Sequence, residues 1–163
     1  MSEKQSFWKY KFNDWSRDFT SLANPLILIF VPFIFLFRNN KEYFYVLLFT
    51  LLINEILGSA IKIIFPKTRP NGQKYSTLIE KIDAGSFPSL HSSRITIVYL
   101  ILFSATTFIA FKILFIAIIP IVMLSRINLK KHFLTDILGG FVIGVVLWWL
   151  SSYFLNYPIN IIG

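Results

Sequence analysis

The chain has 163 residues, of which 55% are hydrophobic, with 18 phenylalanines and a mean hydropathy of +0.64. Too little polar residue remains to coat a soluble globule, and several runs approach the ~20 apolar residues that span a bilayer, so one integral membrane domain over 1–163 is expected. A net charge of +8 points to a positive membrane face that serves anionic lipid or simply holds the protein in place, rather than to nucleic acid, because the basic residues sit at helix ends. The absence of cysteine excludes disulfides and thiolate chemistry. Two histidines with no carboxylate cluster make no ordinary zinc site, so no metal or cofactor is expected.

Taken in order, residues 3–20 are mixed. Trp8, Phe12, Trp15, Phe19 and Leu22 recur at helical spacing, with Lys4, Lys11, Asp14, Arg17 and Asp18 elsewhere on the helix. This predicts an interfacial helix with its rings inward and its charges in water, or an amphipathic helix packed on the protein itself. No cleavable signal peptide is read here. A first span is expected over about 22–37, with Pro25 in an early turn and Pro32 at a kink. Arg38 to Lys41 make a tight polar turn before a second span over about 43–65.

Asn54 and Glu55 lie at mid-depth of that span, where polar groups usually face a partner. Glu55 is seven residues before Lys62 on one helix face, which suggests either a link through Ser59 or water or a polar residue that knits helices together. Pro66 to Pro88 form the one extended polar loop. Further spans are expected over about 89–109, 112–126 and 132–154, the fourth kinked at Pro120. Trp148, Trp149 and Tyr153 mark the far interface, and Gly140 and Gly144 form a small-xxx-small pair suited to close packing. The fold class is an all-α membrane bundle of about five transmembrane helices.

Helical hairpins then carry three polar segments to one membrane face. These are Lys62 to Pro70, Pro88 to His91, and Ser125 to Asp136, and they bring both histidines beside Lys62, Arg69 and Arg126. Three cations suit a phosphoryl group, and the arginine fork matches its oxygens. Two helices also begin at this face and aim their N-terminal dipoles at an anion. His132 is a candidate nucleophile and His91 a candidate proton donor to the leaving oxygen. Asp136 follows His132 by one helical turn, close enough to hold its ring N–H. The Ser89 hydroxyl would help to hold the phosphate. Arg94, Lys67, Lys74, Lys81, Lys130 and Lys131 are read as interfacial anchors, or as contacts to a second substrate phosphate.

In these ten residues, K-x6-RP, PSxH and SR-x5-H-x3-D, the chain resembles the type 2 phosphatidic acid phosphatase superfamily. The resemblance runs from Lys62 to Asp136 with the flanking helices. It implies a phosphohistidine on His132, Asp136 as its partner, His91 as the acid, and Lys62, Arg69, Ser89 and Arg126 as phosphate ligands. Leu90 stands where the family usually has glycine, so its side chain must point away from the phosphate.

The first expectation is a metal-independent lipid phosphatase. A lipid-to-lipid phosphotransferase with the same intermediate and a non-catalytic anionic-lipid-binding protein are the alternatives. Resembling bacterial enzymes act on phosphatidylglycerol phosphate, undecaprenyl pyrophosphate or the 1-phosphate of lipid A. They imply an inner-membrane protein with a periplasmic site, whereas the positive-inside rule would place this basic face in the cytoplasm.

Overall fold

The computed structural model describes residues 3–72, 76–77, 80, 82 and 84–154, and every regular element among them is helical. The elements are α1 (Glu3–Ser21), α2 (Pro25–Leu28), α3 (Val31–Phe37), α4 (Lys41–Ile64), α5 (Leu90–Ala105), α6 (Ile109–Asn128) and α7 (Leu134–Phe154). Lys74 and Lys81 lie outside the described residues.

Among the described residues three helices, α4, α6 and α7, are long and apolar enough to cross a membrane. The expected first span is broken instead: Phe7–Leu28 and Val31–Phe37 meet at 59° and pass as a span only together. Local chemistry explains the break. Asn24 caps α2, its side chain accepting from the Leu26 N–H at 2.9 Å, with Pro25 in the first turn. Pro32 likewise sits in the first turn of α3, so it starts a helix rather than kinking one.

The polar turn at 38–41 closes as a Schellman motif. Asn39 takes a left-handed φ of 56°, the Asn40 N–H reaches the Phe35 carbonyl at 2.8 Å, and the Asn39 N–H reaches that of Leu36. Asn40 then caps α4 through the Tyr43 N–H.

The apolar helix α5 has only 16 residues, yet it is the centre of the bundle, packed against α4, α6 and α7. Its buried set, including Ser92, Ser93, Thr96, Ile97 and Ile101, covers most of its circumference. Small residues make the α5–α7 approach possible. A Cβ on Gly144 would lie 2.7 Å from Thr96 Cβ and 2.8 Å from the Ser93 carbonyl oxygen, and one on Gly140 would collide with the Ser89 carbonyl. This is the close packing that small-xxx-small spacing permits.

The first helix α1 packs against α6 with its polar face. Asn128 Nδ2 donates to Asn13 Oδ1 at 3.0 Å and to Ser16 Oγ at 2.8 Å, and Thr20 Oγ1 lies 2.7 Å from Ser125 Oγ. Trp8, Phe12, Trp15 and Phe19 stay exposed on the outside of the bundle. The helical periodicity is as expected, but the face turned to the protein is the polar one.

Candidate active site

Each of the three polar segments is delivered by a helix end. Helix α4 carries Lys62 in its last turn and ends at Ile64, with the Phe65 N–H on the Ile61 carbonyl. The chain from 65 to 70 then folds back over the start of α7, carrying Lys67 and Arg69. Helix α6 ends in a second Schellman motif: Lys130 takes a φ of 53°, the Lys131 N–H reaches the Arg126 carbonyl at 3.1 Å, and the Lys130 N–H reaches that of Ile127. The five residues between Arg126 and His132 are thus the length of a helix stop and a reversal. Lys130 and Lys131 supply the backbone of that turn.

Helix α5 begins at Ser89. Its hydroxyl accepts from Ser92 Oγ at 3.1 Å and from the Ser92 N–H at 3.4 Å, and its N–H donates to the Asp136 carbonyl at 2.9 Å. Ser89 is therefore a helix cap, fully buried, with its own hydroxyl proton still to give. Leu90 turns away from the site. Its side chain lies against Gly58 of α4, where a Cβ would overlap it. Gly58 thus supplies the space that the missing glycine at position 90 would otherwise leave.

Lys62, Arg69, Arg126 and His132 are buried together. Lys62, Arg69 and Arg126 act electrostatically on His132, while Arg69, Arg126, Arg94 and His132 act on His91. The structure therefore brings both histidines and the three expected phosphate-binding cations into one cluster.

The partner of His132 differs from the expected one. Its Nδ1 lies 2.8 Å from the Ser86 carbonyl oxygen and 3.9 Å from Asp136 Oδ2. A carbonyl only accepts, so Nδ1 carries the proton and Nε2 keeps its lone pair. His132 sits in the connection between α6 and α7. Burial there, with the Arg126 and Arg69 guanidiniums nearby, pushes its pKa down to about 3, and the Ser86 carbonyl opposes the shift. At neutral pH the ring is uncharged.

Asp136, fully buried, serves a different set of groups. Its Oδ1 accepts from Lys67 Nζ at 2.5 Å, and its Oδ2 accepts from the Ser86 hydroxyl and from the Phe133 N–H at 2.8 Å. The last bond caps α7. Lys67 also donates to Thr135 Oγ1 at 2.8 Å and stands 4.8 Å from the centroid of the Phe133 ring. Lys67, expected as an interfacial anchor or a contact to a second substrate phosphate, is thus bonded to Asp136 beside His132.

Glu55 knits two helices together. It holds Arg94 of α5, at 2.5 Å to Nε and 2.8 Å to Nη2. Long-range partners such as these leave no signal in spacing along the chain.

Both histidines thus lie among buried cations in a helical bundle whose long helices are apolar enough to cross a membrane. Residues 43–159 match the PAP2 superfamily. Over 144 residues the chain is 30% identical to the Bacillus subtilis (strain 168) protein named Phosphatidylglycerophosphatase B, covering 83% of this chain and 68% of that protein. Its fold is shared with the first transmembrane PAP2 type phosphatidylglycerolphosphate phosphatase from Bacillus subtilis solved by crystallography, with a TM-score of 0.73, 22% identity, and coverage of 96% of this chain and 88% of that one. The chain belongs to the PAP2 superfamily. By class it is a membrane enzyme, a lipid phosphate phosphatase.

Proposed function

We propose that the enzyme hydrolyses the terminal phosphomonoester of phosphatidylglycerol phosphate through a phosphohistidine on His132. The observation that carries the mechanism is the tautomer: Nδ1–H is committed to the Ser86 carbonyl at 2.8 Å, which leaves Nε2 as the free lone pair. The similarity to Phosphatidylglycerophosphatase B favours this substrate over undecaprenyl pyrophosphate and the 1-phosphate of lipid A.

In the first step, His132 Nε2 attacks phosphorus and the P–O bond to the glycerol breaks. The leaving oxygen takes a proton from His91. Lys62, Arg69, Arg126 and the Ser89 hydroxyl hold the phosphoryl oxygens and offset their charge. In the second step, His91 takes a proton from water as the water oxygen attacks phosphorus. The P–N bond breaks, which returns neutral His132 and inorganic phosphate.

The bundle is placed in the inner membrane with the site facing the periplasm. The cations at this face serve phosphate and are poor reporters of topology. Single cysteines introduced at Lys74 and Lys41 and labelled from outside the cell test this; reaction at position 41 alone refutes it.

The decisive assay is phosphate release by the purified protein from the three lipids, with EDTA present. Turnover is expected, greatest on phosphatidylglycerol phosphate, inhibited by vanadate and abolished in His132→Ala and His91→Ala. Dependence on metal, or full activity in His132→Ala, overturns the mechanism. A clear preference for either other lipid overturns the substrate.

A further inference from the structure

Lys67 touches neither histidine, yet a closed circuit of bonds runs from it to the His132 ring. Its backbone carbonyl accepts the Ser86 N–H at 2.7 Å. Its ammonium binds Asp136 Oδ1 at 2.5 Å, and the other oxygen of that carboxylate accepts the Ser86 hydroxyl. Ser86 is thus gripped at its N–H by the Lys67 main chain and at its hydroxyl by the carboxylate that the Lys67 side chain holds. The Ser86 carbonyl is in turn the direct acceptor for His132 Nδ1. On the other side, the carboxylate holds the N–H of Phe133, the residue after His132, and the ammonium stands over the Phe133 ring.

We propose that Lys67 is a positioning residue for the phosphoryl-transfer step, acting through Asp136 and Ser86 to fix the tautomer and aim of His132. The inference rests on His132 being the nucleophile. Three chain segments close this circuit, around 67, 86 and 132–136, and Lys67 is its one cation. The Asp136 side chain is 0% exposed and that of Lys67 is 38% exposed, so loss of the ammonium leaves a buried carboxylate with its charge uncompensated. The carboxylate oxygen 3.9 Å from His132 Nδ1 then becomes a rival to the Ser86 carbonyl, and the ring turns toward it. A displacement of about 1 Å in a reacting group costs roughly 100-fold in rate.

The test is steady-state phosphate release from phosphatidylglycerol phosphate in mixed micelles by purified Lys67→Met, Lys67→Arg, Lys67→Met/Asp136→Asn and His132→Ala proteins. Lys67→Met should lower kcat roughly 30- to 100-fold while KM stays within about threefold, because the lost contact acts on the nucleophile and not on bound substrate. Lys67→Arg keeps the charge and should recover kcat to within about tenfold of the parent enzyme. The double variant removes both charges together and should be at least as active as Lys67→Met alone.

A rise in KM at unchanged kcat makes Lys67 a direct substrate contact and overturns the proposal. So does parental behaviour in Lys67→Met. If Lys67→Met does not fold, Ser86→Ala carries the test. It keeps the carbonyl and loses the hydroxyl, so kcat should fall about tenfold at constant KM; an unchanged kcat refutes the circuit. Activity in His132→Ala removes the nucleophile itself. An inactive His132→Ala beside a parental Lys67→Met sinks the role of Lys67 alone.

Discussion

Two ion pairs bracket the cluster of buried cations, and they are built in opposite senses. In Lys67–Asp136 the carboxylate is 0% exposed and the cation 38% exposed; in Arg94–Glu55 the cation is 8% exposed and the carboxylate 39% exposed. The first joins a loop to the start of α7 and reaches His132 through Ser86. The second ties α4 to α5, and Arg94 Nη1 extends to the Ala23 carbonyl at 3.4 Å, fastening the segment after α1 to both. Removing one partner of such a pair leaves the other's charge stranded, and the penalty follows the more buried member. Around Lys67–Asp136 that penalty falls on the geometry of His132, the proposed nucleophile, and around Arg94–Glu55 on the packing of helices.

The largest expected effect breaks the first pair at its buried end. Asp136→Ala removes acceptors from Lys67, Ser86 and the Phe133 N–H together, so both the His132 aim and the α7 cap are released. A fall in kcat of about 100-fold is expected, with KM little changed. Stopped assays on purified protein read it directly. Retention of parental kcat would mean that the Ser86 backbone alone holds the ring.

The second pair should answer on stability rather than rate. Glu55→Gln leaves Arg94 buried with a neutral partner. A fully buried pair broken this way costs about 3–5 kcal/mol. Glu55 is partly open and screened, so about 1–2 kcal/mol is expected, a fall in Tm of roughly 2–8 °C for a chain of this size. Turnover well below that Tm should stay within about threefold of the parent. Glu55→Leu/Arg94→Met should be more stable than Glu55→Gln, since it removes the stranded charge as well. A rate loss at full stability would mean that Arg94 touches the substrate.

The same contrast separates what could be read along the chain from what could not. Helix α4 and the cluster of Lys62, Arg69, His91, Arg126 and His132 follow from hydropathy and from short motifs whose spacing has local causes, such as the Schellman turn that fits five residues between Arg126 and His132. The partners Lys67, Ser86 and Arg94 do not, because each bond joins segments far apart in sequence. Asp136 at one helical turn from His132 suggested a direct bond; the ring found a backbone carbonyl instead, and spacing carries no information about carbonyls. A kink is the expectation at Pro32, and only the Asn24 cap with the turn that follows it makes that proline a helix start. Leu90 shows the reverse case. Its misfit to the motif was plain, but the compensating Gly58 lies on another helix.

The smallest effect is a displacement along the pH axis, and it separates the two pairs without any loss of fold. Protonated His132 has no lone pair on Nε2, so kcat/KM must fall as pH drops through the pKa of the free enzyme. With that pKa pushed from the ordinary 6.5 to about 3, the acid limb set by His132 should lie far below neutrality. In Lys67→Met the Asp136 carboxylate, 3.9 Å from Nδ1, is released from its cation. A free anion beside the ring favours the imidazolium, so the pKa rises and the limb moves to higher pH. Glu55→Gln leaves those neighbours of His132 untouched and should leave the limb in place. Equal movement in both variants would mean that the ring senses the summed charge of the site and not one carboxylate, and the division between the pairs would then fail.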